Sequence, residues 1–233
     1  MIWVQSPTEN ESLLPPQPAS SRDKILDVAE ALFARRGFAG VGLREVAARV
    51  GLGKSSLFHH FKSKAELYLA VLRRVFDRID ERVAPVLGAS GTHAEQLVRT
   101  IDTLIDALAE HPTTARLLLR GLFEDDDLPS EAEPALADVE AQIERILGRV
   151  LVLLRSGIEA GAFRRDAEPG QVLQTLIGAV VYHFASGELG EGLTGAPLFG
   201  SDAVRRRKDE IRNMLLCGLS APRGPANDQG GLP

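Results

Sequence analysis

The sequence predicts an all-α fold of roughly nine helices, on three observations. Apolar residues recur at three- and four-residue intervals in one segment after another, whereas the period-two alternation of a half-buried strand is nowhere convincing. Glycine, proline or a small polar capping residue punctuates the ends of these segments. No internal repeat or low-complexity block interrupts the series.

Residues 1–20 hold Pro7, Pro15, Pro16 and Pro18 with few core formers and are expected to form a flexible arm, in which Trp3 has no evident role. Ser20 or Ser21 can cap a first helix running to Arg36, with Ile25, Leu26, Ala29, Leu32 and Phe33 as its inner stripe and Gly37 as its stop. The stretch 42–64, GLREVAARVGLGKSSLFHHFKSK, reads as two short helices about a glycine turn. Val46, Ala47 and Val50 share one face of the first; Leu57, Phe58 and Phe61 recur at helical spacing in the second. Gly51 lies between them, where a left-handed turn favours glycine. Arg44, Lys54, Ser55, Ser56, His59, His60, Lys62 and Lys64 are left for the outside, giving a helix-turn-helix with a mostly basic exterior.

Ser63 can cap a long helix in which Leu67, Val71, Val75, Ile79 and Val83 keep a four-residue step until Pro85. Leu97, Ile101, Leu104, Ile105 and Leu108 mark the next helix. Pro112 is expected to open another through Leu118, Leu119, Leu122 and Phe123, closed by the acidic run 124–127. From Leu136 to Ile158 the pattern is the cleanest in the chain and predicts a central core helix ended by Gly161. Pro169 starts an uncharged helix to about Ser186 with apolar residues on nearly every face, which needs both its own core and a second subunit to pack against. The glycines from 187 to 200 with Pro197 read as a loop, and a final helix runs from Asp202 to about Leu219. The expected organisation is therefore an arm (1–20), a helix-turn-helix domain (21–65), a larger helical domain for ligand binding and dimerisation (66–220) and a loose tail (221–233).

The net charge of −5 conceals an asymmetry. Between Arg22 and Lys64 nine bases face four acids, a surplus of five, so the remainder of the chain carries −10. A small basic unit on an acidic body suits a protein that meets a polyanion at one end only. The single cysteine, Cys217, cannot form an internal disulfide, no signal-like segment opens the chain, and the uncharged run 171–187 is interrupted by polar residues, so cytoplasm is the expected compartment and no membrane is expected as a partner.

Several other chemistries fail on spacing. Gly53, Lys54 and Ser55 spell the end of a phosphate-binding loop, but the motif's earlier glycine position holds Ala48 and an amphipathic helix stands where a strand should. Adjacent His59 and His60 point about 100° apart on a helix and cannot easily clasp one metal. The run 124–127 lacks the ligand alternation and glycine of a calcium loop. No serine, histidine and aspartate set has a catalytic motif around it, so neither an enzyme nor a metal or cofactor is expected.

The runs DKILDVAEALFARRGFAG and VGLREVAARVGLGKSSLFHHFKSKAELYLAVL closely resemble the amino-terminal domain of the TetR family of one-component bacterial regulators, without a gap from Arg22 to Leu72. Beyond that, helix number and order agree. The resemblance implies a homodimer that lays the helix from about Lys54 to His60 into the major groove of operator DNA and releases it when a small, mainly apolar effector binds the body. Its base-reading positions fall on Arg44, Lys54, Ser55 and Phe58, and its phosphate-gripping positions on Ser56, His59, His60 and Lys64. Gly42 and Gly53 stand where that family often has a capping Ser or Thr; these two losses are all that favours the rival, a helical sensor or scaffold that no longer binds DNA. Phe76, Leu104, Leu118, Phe123, Ile143, Leu147 and Leu176 are candidate walls of the effector pocket, with Tyr182 and His183 as polar tips or as satisfied core or interface groups.

Overall fold

The computed structural model describes residues 20–121 and 128–220. The described residues form α1 (Ser21–Arg36), α2 (Leu43–Val50), α3 (Lys54–His60), α4 (Lys64–Leu87), α5 (His93–Glu110), α6 (Thr114–Gly121), a 3-10 turn (Ser130–Ala132), α7 (Glu133–Glu159), α8 (Pro169–Ala185), α9 (Glu188–Thr194) and α10 (Ser201–Gly218). The only β-type pairing among them is an isolated bridge between Phe163 and Ser220. The arm with Trp3, the tail, Phe123 and the acidic run 124–127 lie outside the described residues.

The first three helices follow the sequence closely. Ser20 caps α1 reciprocally with Asp23: the Ser20 hydroxyl accepts from the Asp23 N–H at 3.1 Å, and the Asp23 carboxylate accepts from the Ser20 N–H. Ile25, Leu26, Ala29, Leu32 and Phe33 are all buried. Gly51 has φ +76°, and its neighbour Leu52 donates to the Ala47 carbonyl at 2.9 Å, closing α2 and turning the chain into α3. Leu57 and Phe61 face inward, but Phe58 is 36% exposed, so α3 buries a narrower stripe than its apolar spacing suggests.

Four later expectations are corrected. α4 runs two residues past Pro85 to Leu87, because near its end only a turn's worth of bonding is lost when proline supplies no N–H. α6 starts at Thr114 instead of Pro112: the Leu117 N–H bonds the Thr113 carbonyl at 3.1 Å, leaving Pro112 and Thr113 in the turn. α7 is not the central helix. It buries Val139, Ile146, Val150 and Leu154 on one side and leaves the other to solvent, whereas α5 packs against α4, α7, α8 and α10. The glycine-rich loop contains α9, entered through Gly187 and closed by a left-handed Gly195.

Two apolar clusters result. One joins α1–α3 to α4 from Ala65 to Val83 and to Leu117 and Val139; the other joins α5, α7, α8 and α10. Leu87, Leu104 and Leu118 touch both, so α4 to α6 form the seam between the basic unit and the body. At 24 residues α4 is about 36 Å long; it belongs to the first cluster and reaches the second at Leu87.

Across the same seam lies a buried carboxylate. Glu30 on α1 is 5% exposed; its two oxygens accept from Arg74 at 2.6 Å and Arg78 at 2.8 Å on α4, and from the Thr113 hydroxyl at 2.8 Å. Burial pushes the Glu30 carboxyl up, but the hydrogen bond and charge of Arg78, the Thr113 hydroxyl and the Arg74 hydrogen bond outweigh it, and the net is below the ordinary carboxylate value. A carboxylate depressed in the folded state stabilises the fold above its unfolded pKa, and that contribution disappears as pH falls through the folded value. Glu30→Ala should therefore lower unfolding free energy by about 3 kcal/mol at neutral pH in denaturant titration, since it leaves the mostly covered Arg78 without an acid and Arg74 with Asp27 alone. The gap between variant and wild type should narrow as the solution is taken below the carboxylate range.

Candidate nucleic-acid interface

The outer face of α2 and α3 is polar because the apolar residues that hold the pair together all point at α1 and α4. Val46, Ala47, Leu57 and Phe61 are buried, which leaves Arg44, Lys54, Ser55, Ser56, Phe58 and His59 exposed and His60 half-buried. Seven of the eight DNA-facing candidates are thus at least partly exposed on α2 and α3. Lys54 sits 5.4 Å from the centroid of the Phe58 ring, and the His59 and His60 rings meet edge to face at 5.7 Å. Among the described residues no cluster of three His, Cys, Asp or Glu could hold a metal ion.

Many cations of α4 and the body are ion-paired. On α4, Arg73 meets Asp138, Arg74 meets Asp27 and Glu30, Arg78 meets Glu30, and Arg82 meets Glu110. In the body Arg149 meets Asp80, Lys208 meets Asp106 and Arg212 meets Asp102. Within α2, Glu45 takes both Arg36 from α1 and Arg49 one turn on, and the Arg36 hydrogen bond holds its carboxyl below the usual range. Arg44 and Lys54 make no ion pair with any described residue, so their charge is available to an outside anion. Gly42 and Gly53 leave the first-turn N–H groups of α2 and α3 without a side-chain cap, exposed on the same side.

Lys64 departs from the group. Its ammonium donates to the Phe38 carbonyl at 2.9 Å and the Ala39 carbonyl at 3.5 Å, and lies 4.2 Å from the Phe38 ring centroid. Phe38 in turn tilts against the buried Tyr68 ring, which meets Phe33 edge to face. The side chain assigned to phosphate from the sequence is engaged in locking the α1–α2 loop to the start of α4.

The pocket candidates are not all gathered in one place. Phe76, Leu104, Leu118, Ile143 and Leu147 stay partly accessible: Phe76 and Ile143 pack on the first cluster, Leu147 on the second, and Leu104 and Leu118 on both. Leu176 instead lines a groove of about 320 Å³ between α8 and α10. Tyr182 is 52% exposed on the outer side of α8. His183 faces a separate hollow with Thr194, Leu198, Arg207 and Glu210, where burial and then the Arg207 charge lower its pKa to about 4, so it is neutral at ordinary pH. Sequence reasoning missed Glu30 and Thr113, although an acid following Ala29 on the inner side of α1, and arginines one turn apart on α4, are a readable sign of a buried ion cluster.

An exposed, unpaired basic face on a helix-turn-helix, carried by one long helix into an all-helical body, defines a DNA-binding protein of the one-component regulator type. Comparison with known proteins agrees. Residues 25–71 match the family profile described as bacterial regulatory proteins, tetR family, and residues 94–215 match that of the tetracyclin repressor-like C-terminal domain. The chain is 30% identical over 154 residues to the HTH-type transcriptional repressor KstR2 of Mycolicibacterium smegmatis, spanning 66% of this chain and 73% of that protein. It is 33% identical over 149 residues to the HTH-type transcriptional activator FasR of the same species, spanning 63% of this chain and 65% of that one. In fold it is similar to the ketosteroid transcriptional regulator KstR2 of Mycobacterium tuberculosis, with a TM-score of 0.72 at 21% identity over 88% of this chain and 98% of that one. AibR in complex with isovaleryl coenzyme A and operator DNA gives a TM-score of 0.68 at 19% identity over 84% and 97%. The chain belongs to the tetR family of bacterial regulatory proteins and is a DNA-binding transcriptional regulator. No helix among its described residues is long and apolar enough to cross a membrane.

Lys64→Ala should destabilise the helix-turn-helix by about 1–2 kcal/mol, the scale of a charge-assisted hydrogen bond on a partly exposed group, read as a lowered Tm of the DNA-free protein. A melt identical to wild type would return Lys64 to a purely DNA-facing role.

Proposed function

We propose that this protein is a cytoplasmic repressor that binds its operator as a homodimer through residues 21–65 and is released by a small, mainly apolar effector held in residues 66–220. The observation that carries the reading is the exposed polar face of α2 and α3, on which Arg44 and Lys54 make no ion pair with a described residue while Glu45 takes up Arg36 and Arg49. In the major groove the Arg44 fork is suited to the O6 and N7 of a guanine, and the Phe58 ring to a thymine methyl. Ser55 and Lys54 lie beside them to read base edges, while Ser56, His59 and His60 reach backbone phosphate.

A dimer must set two recognition helices about 34 to 36 Å apart to enter successive major grooves. The uncharged outer face of α8, carrying Gln171, Gln174, Thr175, Gly178 and the exposed Tyr182, lies across a groove from Met214 of α10, which is 54% exposed. The exposed Tyr182 and Met214 on this face support pairing with a second copy.

The effector reading rests on the seam. Phe76, Leu104, Leu118, Ile143 and Leu147, on α4, α5, α6 and α7, remain partly accessible, and Leu104 and Leu118 pack on both clusters, so an apolar molecule against these two would meet the helices between basic unit and body. Phe123 follows α6 in the sequence and completes the set of candidates. AibR was solved with an acyl coenzyme A thioester together with operator DNA, which favours an acyl chain as the apolar part. α6 offers the transmission: Leu118 faces the seam, while Arg120 donates to the Ala34 carbonyl at the end of α1 and Thr113 just ahead of α6 holds Glu30. An effector that displaces α6 would shift α1 and α4 and hence the spacing of the recognition helices, by no more than its differential affinity for the two arrangements.

Arg44→Ala should weaken binding to a duplex from the protein's own upstream region by about 1–3 kcal/mol and relax choice at one base pair, measured by fluorescence anisotropy. Equal loss on random duplex would contradict base reading. Met214→Asp should convert the dimer to a monomer in sedimentation velocity at micromolar concentration and remove specific binding with it; an intact dimer would move the interface elsewhere.

A further inference from the structure

Where the second half of α1 meets the body, a hollow of about 300 Å³ opens. α1 lines it with Ala31, Ala34 and Arg35, the α5–α6 turn with Pro112 and Thr113, α6 with Arg116, and the loop ahead of α10 with Phe199. Its volume stands at the lower end of the range for small-molecule sites, room for a charged group and little more than one ring.

The charge of this hollow is one-sided. No acid lines it, and neither Arg35 nor Arg116 makes an ion pair with a described residue. The carboxylate behind Thr113 is Glu30, which receives the Thr113 hydroxyl and is already shared by Arg74 and Arg78. Arg116 is also held in place. A Cβ on Gly187, in the turn from α8 to α9 with φ +57°, would come within 2.6 Å of the Arg116 Nη2, so the glycine leaves the space against which the guanidinium packs. Packed there, that guanidinium donates to no described group, and neither does that of Arg35. On the remaining side the Phe199 ring is fixed by the buried Phe184, with 5.4 Å between centroids, and gives the hollow an aromatic surface.

We propose that this hollow binds a small phosphate monoester, its dianionic phosphate held by Arg35 and Arg116 and its ring or apolar part set against Phe199, Ala31 and Ala34. A guanidinium fork matches phosphate oxygens two at a time, and a phosphate has oxygens enough for two forks. A monocarboxylate would neutralise one arginine and leave the other as it is. Because Arg35 belongs to α1 and Arg116 to α6, a bound phosphate fastens the end of α1 to the body, beside the place where Arg120 reaches the Ala34 carbonyl. The site is separate from the residues of α4, α5 and α7 proposed to meet an apolar effector, and stands or falls without them.

Calorimetric titration of the full-length, DNA-free protein with phenyl phosphate and with inorganic phosphate, at matched ionic strength, tests the assignment. Both should bind, phenyl phosphate several-fold more tightly. Arg35→Gln and Arg116→Gln, both at exposed positions, should each weaken both ligands at least about tenfold, the scale of one lost charge-assisted partner, with the far-UV circular dichroism unchanged. Phe199→Ala should remove the advantage of phenyl phosphate and spare inorganic phosphate. Arg155→Gln, the same change of charge at an exposed position of α7, should alter neither. Absence of saturable binding by either phosphate overturns the proposal. So does equal weakening by Arg155→Gln, which would reduce the effect to net charge, and so does equal affinity for the two phosphates, which would make the ligand inorganic phosphate. Phosphate binding that survives in Arg35→Gln and Arg116→Gln while their affinity for duplex DNA falls would make these arginines nucleic-acid contacts and overturn it as well.

Discussion

The Glu30 carboxylate, covered from water and shared by two arginines of α4 and the Thr113 hydroxyl, is the contact on which the geometry of the molecule depends. Apolar packing alone would let α1 slide along α4, since both present small and branched side chains at regular intervals and tolerate one-turn shifts. A buried acid cannot be moved by a turn without depriving Arg78 of its acid and Arg74 of one of two, so it fixes the register of α1, α4 and the α5–α6 turn against one another. The helix pair that faces DNA is then carried on a frame whose orientation is set by charge more than by hydrophobic fit. Arg120, reaching the last carbonyls of α1 from α6, adds a second tie at the other end of the same helix.

Most of the fold could be read from residues whose partners are near in sequence. The α1 stripe, the Ser20 and Ser63 caps, the Gly51 turn and the four-residue step along α4 all depend on local periodicity and on capping chemistry. What was hidden depends on distant partners. Periodicity shows that α7 has an apolar face but not how much of the opposite face meets another helix, and so it suggested a central helix where α5 takes that place. α9 was concealed by its own glycines, which act here as its two ends. Pro85 is tolerated because of where it falls in α4, which a residue type does not disclose.

The same division holds at the interface with DNA. That Arg44, Lys54, Ser55, Ser56 and His59 are exposed follows from which positions of α2 and α3 are apolar. Which cations on that side remain unpaired does not, because pairing depends on acids brought in by other helices. Glu45 removes Arg36 and Arg49 from the available charge and leaves Arg44, one residue away, untouched. For the body the legible part was smaller: an apolar lining was readable, but Leu176, Tyr182 and His183 point to three different surroundings although they lie within two turns of one helix.

Lys64 comes to a duplex already engaged, its ammonium set on the Phe38 ring and against two loop carbonyls. Each cation that replaces condensed counterions on B-DNA steepens the logarithmic dependence of affinity on ionic strength by about 0.9. A lysine retained by its own loop expels none of those ions. Binding by this protein should therefore fade more gently with added electrolyte than a tally of the basic residues near its recognition helix implies, and the shortfall should be close to one released ion per subunit.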